Sequence, residues 1–248
     1  MKKMFVLLCM VCSLCISGCS REKNENNVST FHNEDYAFVD SYSIGDFEYN
    51  GSQVKKVECN WLIGSIEIVQ AEKNICSVKE NVKGLDEDYK LRWKLEDEVL
   101  KIQYCAPDFR GKLKGEGLKS LRLEIPSNID LEVKNDVGSI ILRDCTLQSG
   151  NFQIDVGDFN AYNLSASSLN TSIDVGAMDI SLKSNKIGIL ETNVGSIHLY
   201  LLDNMGATIN YSIGTGKFND KDKKGNQVFG DGASMLSLRT DTGSIQVD

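Results

Sequence analysis

Proline and histidine are nearly missing from this 248-residue sequence, with two of each. With only His32 and His198, a zinc site lacks imidazoles and a Ser/His/Asp arrangement is hard to assemble. G-x-S-x-G, H-E-x-x-H, a phosphate-binding loop and a dinucleotide fingerprint are all lacking. No catalytic residue is assigned, and the chain reads as a non-enzyme.

Basic charge is also in short supply, with 27 Lys and Arg against 35 Asp and Glu, a net charge of −8. Removal of Lys2 and Lys3 with a leader takes this to −8 − 2 = −10. A chain this acidic is repelled by nucleic acid and by anionic lipid heads, so no nucleic-acid partner is expected.

Long apolar runs are lacking too. The one candidate, Met4 to Ile16, has 13 residues, whereas about 20 are needed to cross a bilayer as a helix. Preceded by Lys2 and Lys3, it is a cleaved export signal spanning residues 1–18. Ile16-Ser17-Gly18-Cys19 at its end resembles the bacterial lipobox, whose cysteine is diacylated and becomes N-terminal. Cys19 is therefore the expected lipidation site, and the expected location is extracytoplasmic, with the lipid anchoring the chain to a bacterial membrane. Residues 19–35 are polar and Asn-rich, too poor in aliphatics to pack, and read as a tether.

Beyond Cys19 the cysteines are Cys59, Cys76, Cys105 and Cys145, widely spaced and without a C-x-x-C pair. Export permits a disulfide, with Cys76 and Cys105 as one conceivable pair, and small buried thiols on strands are the other reading.

What the sequence does have is a repeat. Written in rows of nineteen from Leu131, it fills one column with glycine: Gly138, Gly157, Gly176, Gly195 and Gly214, returning at Gly243 after ten extra positions. Val137, Val156, Val175, Val194 and Ile213 precede these glycines. Ile140/Leu142, Phe159/Ala161, Met178/Ile180, Ile197/Leu199 and Ile245/Val247 follow them with one polar-facing position between. Apolar residues two apart mark a strand with one buried face. A second strand upstream runs through Val133, Phe152, Thr171, Leu190, Ile209 and Leu238. Two short strands and a glycine corner at a fixed period predict an all-β fold, a β-solenoid with 19-residue coils stacked over a shared core. The glycines are structural corners that need φ > 0 or close backbone approach.

Residues 131–248 form the regular repeats, with the charged stretch from Asn219 to Gly232 read as a loop bulging from one coil. Residues 36–130 form an N-terminal β region continuous with them as one domain. This region holds an earlier coil around Gly64, off the 19-residue register, and a hairpin from Tyr89 to Tyr104 turning at Glu96-Asp97-Glu98. A basic loop follows, with Arg110, Lys112, Lys114 and Lys119, and then a strand over Leu121 to Ile125. The loop could touch anionic wall polymer or be plain surface.

The succession VECNWLIGSIEIVQ, LRLEIPSNIDLEVKNDVGSIIL and repeated V-G-S-I segments resembles the bacterial putative-adhesin domains of unknown function, from Val54 onward. Asp158, Ala177 and Gly216 depart from the motif. The resemblance implies a β-solenoid in the envelope and, in some members, adhesion or envelope-stress roles; it brings no catalytic residues.

One column invites chemistry. Asp136, Asp155, Asp174, Asn193, Ser212 and Asp241 precede the Val-Gly pairs. Stacked carboxylates repel one another unless solvated or bridged by a cation, so Asp136, Asp155, Asp174 and Asn193 are a candidate calcium or ligand row. They could equally serve a polysaccharide-acting enzyme. Asx turns at the corner explain the column with less, and no cofactor is required, calcium being the one ion the row could take. The expected function is surface interaction by a lipid-anchored, adhesion-like or envelope-stress-associated protein. Envelope polymer or a surface protein would be the partner. A self-assembling envelope scaffold is the further alternative, with the oligomeric state open.

Overall fold

The computed structural model describes residues 42–82, 84–106, 119–203, 205–219 and 223–248. The export signal, Cys19, the tether, His32, and Arg110, Lys112 and Lys114 of the basic loop lie outside the described residues. Among the described residues the fold is all-β, with eighteen strands in one sheet that curls into a half-barrel. Two short 3-10 turns interrupt it, and among the described residues no helix is long and apolar enough to cross a membrane.

In chain order the strands are β1 (Ser43–Ile44), β2 (Phe47–Asn50), β3 (Lys56–Ile63), β4 (Ile66–Gln70), β5 (Ile75–Glu80), β6 (Arg92–Glu96), β7 (Val99–Gln103), β8 (Leu121–Ile125) and β9 (Ile129–Val137). The remainder are β10 (Ile140–Arg143), β11 (Thr146–Val156), β12 (Phe159–Val175), β13 (Met178–Val194), β14 (Ile197–Leu201), β15 (Ala207–Thr215), β16 (Lys224–Phe229), β17 (Ser234–Thr242) and β18 (Ile245–Val247).

Two runs of neighbours meet at the glycines. Upstream of them the order is β1-β6-β7-β3-β9-β11-β12-β13-β17-β15-β16. Downstream it is β2-β5-β8-β4-β10-β12-β13-β14-β18. Pairing is parallel through the middle of both runs, and the antiparallel pairs fall at the ends: β1/β6/β7, β2/β5/β8 and β15/β16.

The 19-residue spacing is the parallel register itself: Ile140 pairs with Phe159, Phe159 with Met178, and Met178 with Ile197. Equivalent side chains therefore stack in columns, and Ile140, Leu142, Phe159, Ala161, Ile180 and Leu199 are fully buried. Where two columns crowd, size alternates. Leu131, Gly150, Leu169, Gly188 and Leu236 are successive members of one column, and a Cβ on Gly188 would meet a methyl of Leu236 at 2.8 Å. Small and large residues thus share the width of the core.

The rows do not follow chain order throughout. Gly64 sits directly against Gly138, in register with the stack despite its distance in the chain, because β3 and β4 pair with β9 and β10. At the other end β17 lies between β13 and β15, so the last strands in the chain insert before the preceding row. The amide chain records the order: Gly64 donates to Val137, Gly138 to Val156, Gly157 to Val175, Gly176 to Val194, Gly195 to Thr242 and Gly243 to Thr215.

This order corrects three expectations. Gly214 is not a corner glycine: Thr215 pairs with Thr242, and Gly216, at φ 142°, takes the corner beside Gly243. The same slip puts Tyr211, not Ile209, beside Leu238. The stretch from Asn219 to Gly232 is not only a loop, since it contains β16, paired antiparallel with β15. The expected hairpin is present as β6 and β7, with Asp97 and Glu98 both at positive φ, as a two-residue turn of this hand requires.

Candidate functional site

The Asp column lies on the outer side of the corner, one residue before the exposed valines. The flanking registers, Ile154 on Asn135 and Val156 on Val137, put Asp155 beside Asp136, and the same logic sets Asp174 beside Asp155 and Asn193 beside Asp174. Asp241 then follows Asn193, because Val194 pairs with Thr242. Gly214, not Ser212, ends the column. The row is therefore Asp136, Asp155, Asp174, Asn193, Asp241: four carboxylates and one amide.

All five are exposed, and so are Val137, Val156, Val175 and Val194 beside them, each between 44% and 50%. Cross-strand neighbours in a sheet lie about 4.8 Å apart, so like charges are held close along the ladder. Partial desolvation, then the negative charge of Asp155, pushes the Asp136 carboxyl up from its ordinary value. Three members are tied down: Asn193 Nδ2 donates to Asp174 Oδ1 at 2.9 Å, and Arg239 donates to Asp241 through Nη2 at 3.0 Å and Nε at 3.3 Å. Among the described residues no group of three or more His, Cys, Asp or Glu is arranged to hold a metal ion. The ladder is a regular, solvated strip of acid beside an apolar ridge.

Lys119 corrects the reading of the basic loop. It is buried at 1% exposure. Its Nζ lies 2.6 Å from Glu80 Oε1 and donates to the carbonyl oxygens of Tyr89 and Tyr104. The rings of Trp61, Tyr89 and Tyr104 surround it, with centroids 5.0, 4.9 and 4.3 Å away. Burial pulls the ammonium down from its ordinary value, and Glu80 works against that. Lys119-Ser120-Leu121 aligns with Gly64-Ser65-Ile66, Leu121 pairing with Ile66, so Lys119 stands where the neighbouring rows have glycine. Its carbonyl stands where a Cβ on Gly64 would go. Held by two carbonyls and one carboxylate, the group is a plug rather than a docking point.

His198 lies on the outer face, with Nε2 2.8 Å from Asp248 Oδ2 and Nδ1 3.0 Å from the Tyr200 hydroxyl. Neither contact brings a serine or cysteine nucleophile to the ring. Cys59, Cys76, Cys105 and Cys145 are all buried, free thiols. Burial pushes Cys76 and Cys145 up to about 12 and Cys105 to about 11, and Cys59 up as well.

No known family matches this chain, and no curated protein does. Among solved structures it is similar to one described as a putative cell adhesion protein from Clostridium sporogenes, at 14% identity and a TM-score of 0.47 over 83% of this chain and 98% of that one. It is also similar to one described as a putative adhesin from Bacteroides fragilis, at 14% identity and a TM-score of 0.36 over 83% and 97% of the two chains.

Proposed function

We propose that this chain is a lipid-anchored β-solenoid of the bacterial cell envelope that works by presenting its surface to envelope polymer or to a surface protein, and that it catalyses no reaction. Export and anchoring rest on the residue 1–18 signal and Cys19. The solenoid reading rests on parallel rows at one fixed offset, with Phe159 on Met178 and Met178 on Ile197. Adhesion-like or envelope-stress-associated roles are the two forms such a surface protein takes.

The observation that carries the reading is the exposed Asp and Val ladder, repeated row after row beside the glycine corners. A rigid, periodic strip suits a repetitive or extended partner better than a small substrate. The test is binding of the full chain to isolated cell envelope and glycans, with and without calcium, beside Asp155→Asn/Asp174→Asn. Binding that requires the two aspartates supports the ladder as the contact surface. Released oligosaccharide would overturn the non-enzymatic reading, and binding indifferent to the aspartates would move the contact elsewhere. Membrane retention of Cys19→Ala would remove the lipid anchor.

A further inference from the structure

The outer face of the upstream run ends on an open edge. β16 pairs with β15 on one side, and among the described residues no strand pairs with the other. Because Ile213 N–H donates to the Lys223 carbonyl at 2.7 Å, antiparallel alternation turns residues 223, 225, 227 and 229 toward β15. The amides and carbonyls of Lys224, Asn226 and Val228 then face the free edge. An apolar row runs to that edge across four strands: Ile187 pairs with Met235, Met235 with Thr208, and Thr208 with Val228. Ile187, Met235 and Val228 are 55%, 50% and 59% exposed. Charge along the edge has a direction: in sequence, Asp220-Lys221-Asp222-Lys223-Lys224 at one end nets +3 − 2 = +1, and Asp231 lies just past the other end, with Lys223 Nζ donating to the Gly214 carbonyl and Lys224 nearest the edge-facing groups.

We propose that β16 is a dimerisation edge, pairing antiparallel with β16 of a second copy about a twofold axis through Asn226. In this register Lys224 faces the second copy's Val228, and Asn226 faces the second copy's Asn226. Three facing pairs with two bonds each give about six hydrogen bonds and satisfy every edge-facing group. Side chains that face each other lie on the same side of the sheet. The apolar row therefore continues from Val228 onto the aliphatic stem of the second copy's Lys224. The lysine end of each strand meets the Asp231 end of the other, whereas a parallel pairing would set lysine against lysine. An acidic chain gains from an edge at which its own two ends attract. The pairing does not depend on the lipid anchor or on the Asp ladder.

The test is sedimentation velocity of the full chain in mild detergent over a concentration series, beside Asn226→Pro and Asn226→Cys. Proline at this position removes a main-chain amide hydrogen that faces the edge and no main-chain bond to β15, together with the side-chain bond from Asn226 Nδ2 to Asn210 Oδ1. The expected result is a twofold higher mass for the wild type that falls to the monomer in Asn226→Pro, with circular dichroism unchanged. Asn226→Cys should form a disulfide-linked dimer on mild oxidation, because hydrogen-bonded antiparallel pairs hold Cα atoms about 5.5 Å apart, while the wild type under the same oxidation should not. Should Asn226→Pro fold poorly, the Asn226→Cys result decides. A monomer at every concentration would overturn the proposal, as would a dimer that survives Asn226→Pro while Asn226→Cys fails to cross-link through its introduced thiol. Hydrogen-exchange protection of Lys224, Asn226 and Val228 in a monomer would also overturn it, since the chain itself would then cover the edge.

Discussion

The carbonyl oxygen of Gly157 lies 1.7 Å from where a Cβ on Gly176 would stand. Gly176 is at φ 151° and donates its own amide to Val194 at 2.9 Å, so both its conformation and its neighbour require the missing side chain. Gly176→Ala is expected to cost about 3–5 kcal/mol, combining left-handed strain with overpacking against backbone that has no free direction to yield. Gly45→Ala is the control: φ is 82°, but nothing lies within 4 Å of its Cβ position. It should lose only the strain, on the order of 1 kcal/mol. Urea titrations of the two variants against the wild type check both numbers, and equal losses would show that the stack relaxes around the alanine.

The middle of the fold is legible because parallel pairing copies one register into every row, so a single period survives in the side chains as a column of glycines and two columns of aliphatics. The end is not, because β17 enters between β13 and β15: Leu238 stacks on Leu190 on one side and on Tyr211 on the other, and neither offset matches the repeat. Gly214 falls on the period by coincidence, while Gly216 two places later makes the turn. The members of the Asp ladder, Asp241 included, can be read in the sequence, but not their order: the inserted strand stacks Asp241 directly on Asn193 and leaves Ser212 out of the row. β16 is hidden by its composition: Lys-Gly-Asn-Gln reads as loop, and only pairing with β15 makes it a strand. Lys119 is hidden by its basic neighbours, since a lysine is rarely buried unless paired, and its partner Glu80 sits at the end of β5, on the other side of the β6/β7 hairpin in the chain.

The Lys119–Glu80 pair is expected to behave as a plug whose two parts are worth little apart. Lys119→Met leaves the Glu80 carboxylate, 5% exposed, without its cation, and should destabilise by about 3–5 kcal/mol. Lys119→Met/Glu80→Leu removes both charges and should recover most of that loss. A double-mutant cycle by denaturant unfolding measures the coupling. A double variant as unstable as the single one would show that the ring cage, not the ion pair, fixes this end.

The four buried thiols should be chemically silent. Burial holds Cys59, Cys76, Cys105 and Cys145 protonated at neutral pH, and the thiolate is the reactive form. Brief alkylation of the native chain at pH 8 followed by peptide mass mapping should leave all four unmodified, and each should label in guanidinium. A native disulfide between any two, found by non-reducing mapping, would contradict their free state.

The Asp ladder sets a sign for pH. Asp136 has its folded pKa raised above the ordinary 3.8 by desolvation and by Asp155. Its ionised form therefore costs stability at neutral pH, and the cost is relieved as pH falls through the folded pKa toward 3.8. Asp155→Asn removes one carboxylate beside Asp136. It should raise stability at pH 7 by a few tenths of a kcal/mol, the scale of an exposed like-charge pair across strands. The gain should fade on acidification through the folded pKa, until the variant and the wild type melt together well below the ordinary value of 3.8. Thermal melts at four or five pH values give the comparison. Millimolar calcium provides a second axis: an ion bridging the row would reverse the sign, stabilising the wild type above Asp155→Asn at pH 7. Without such a bridge, neither protein's melting temperature should respond to calcium or chelator, and the difference between them should depend on pH and ionic strength alone.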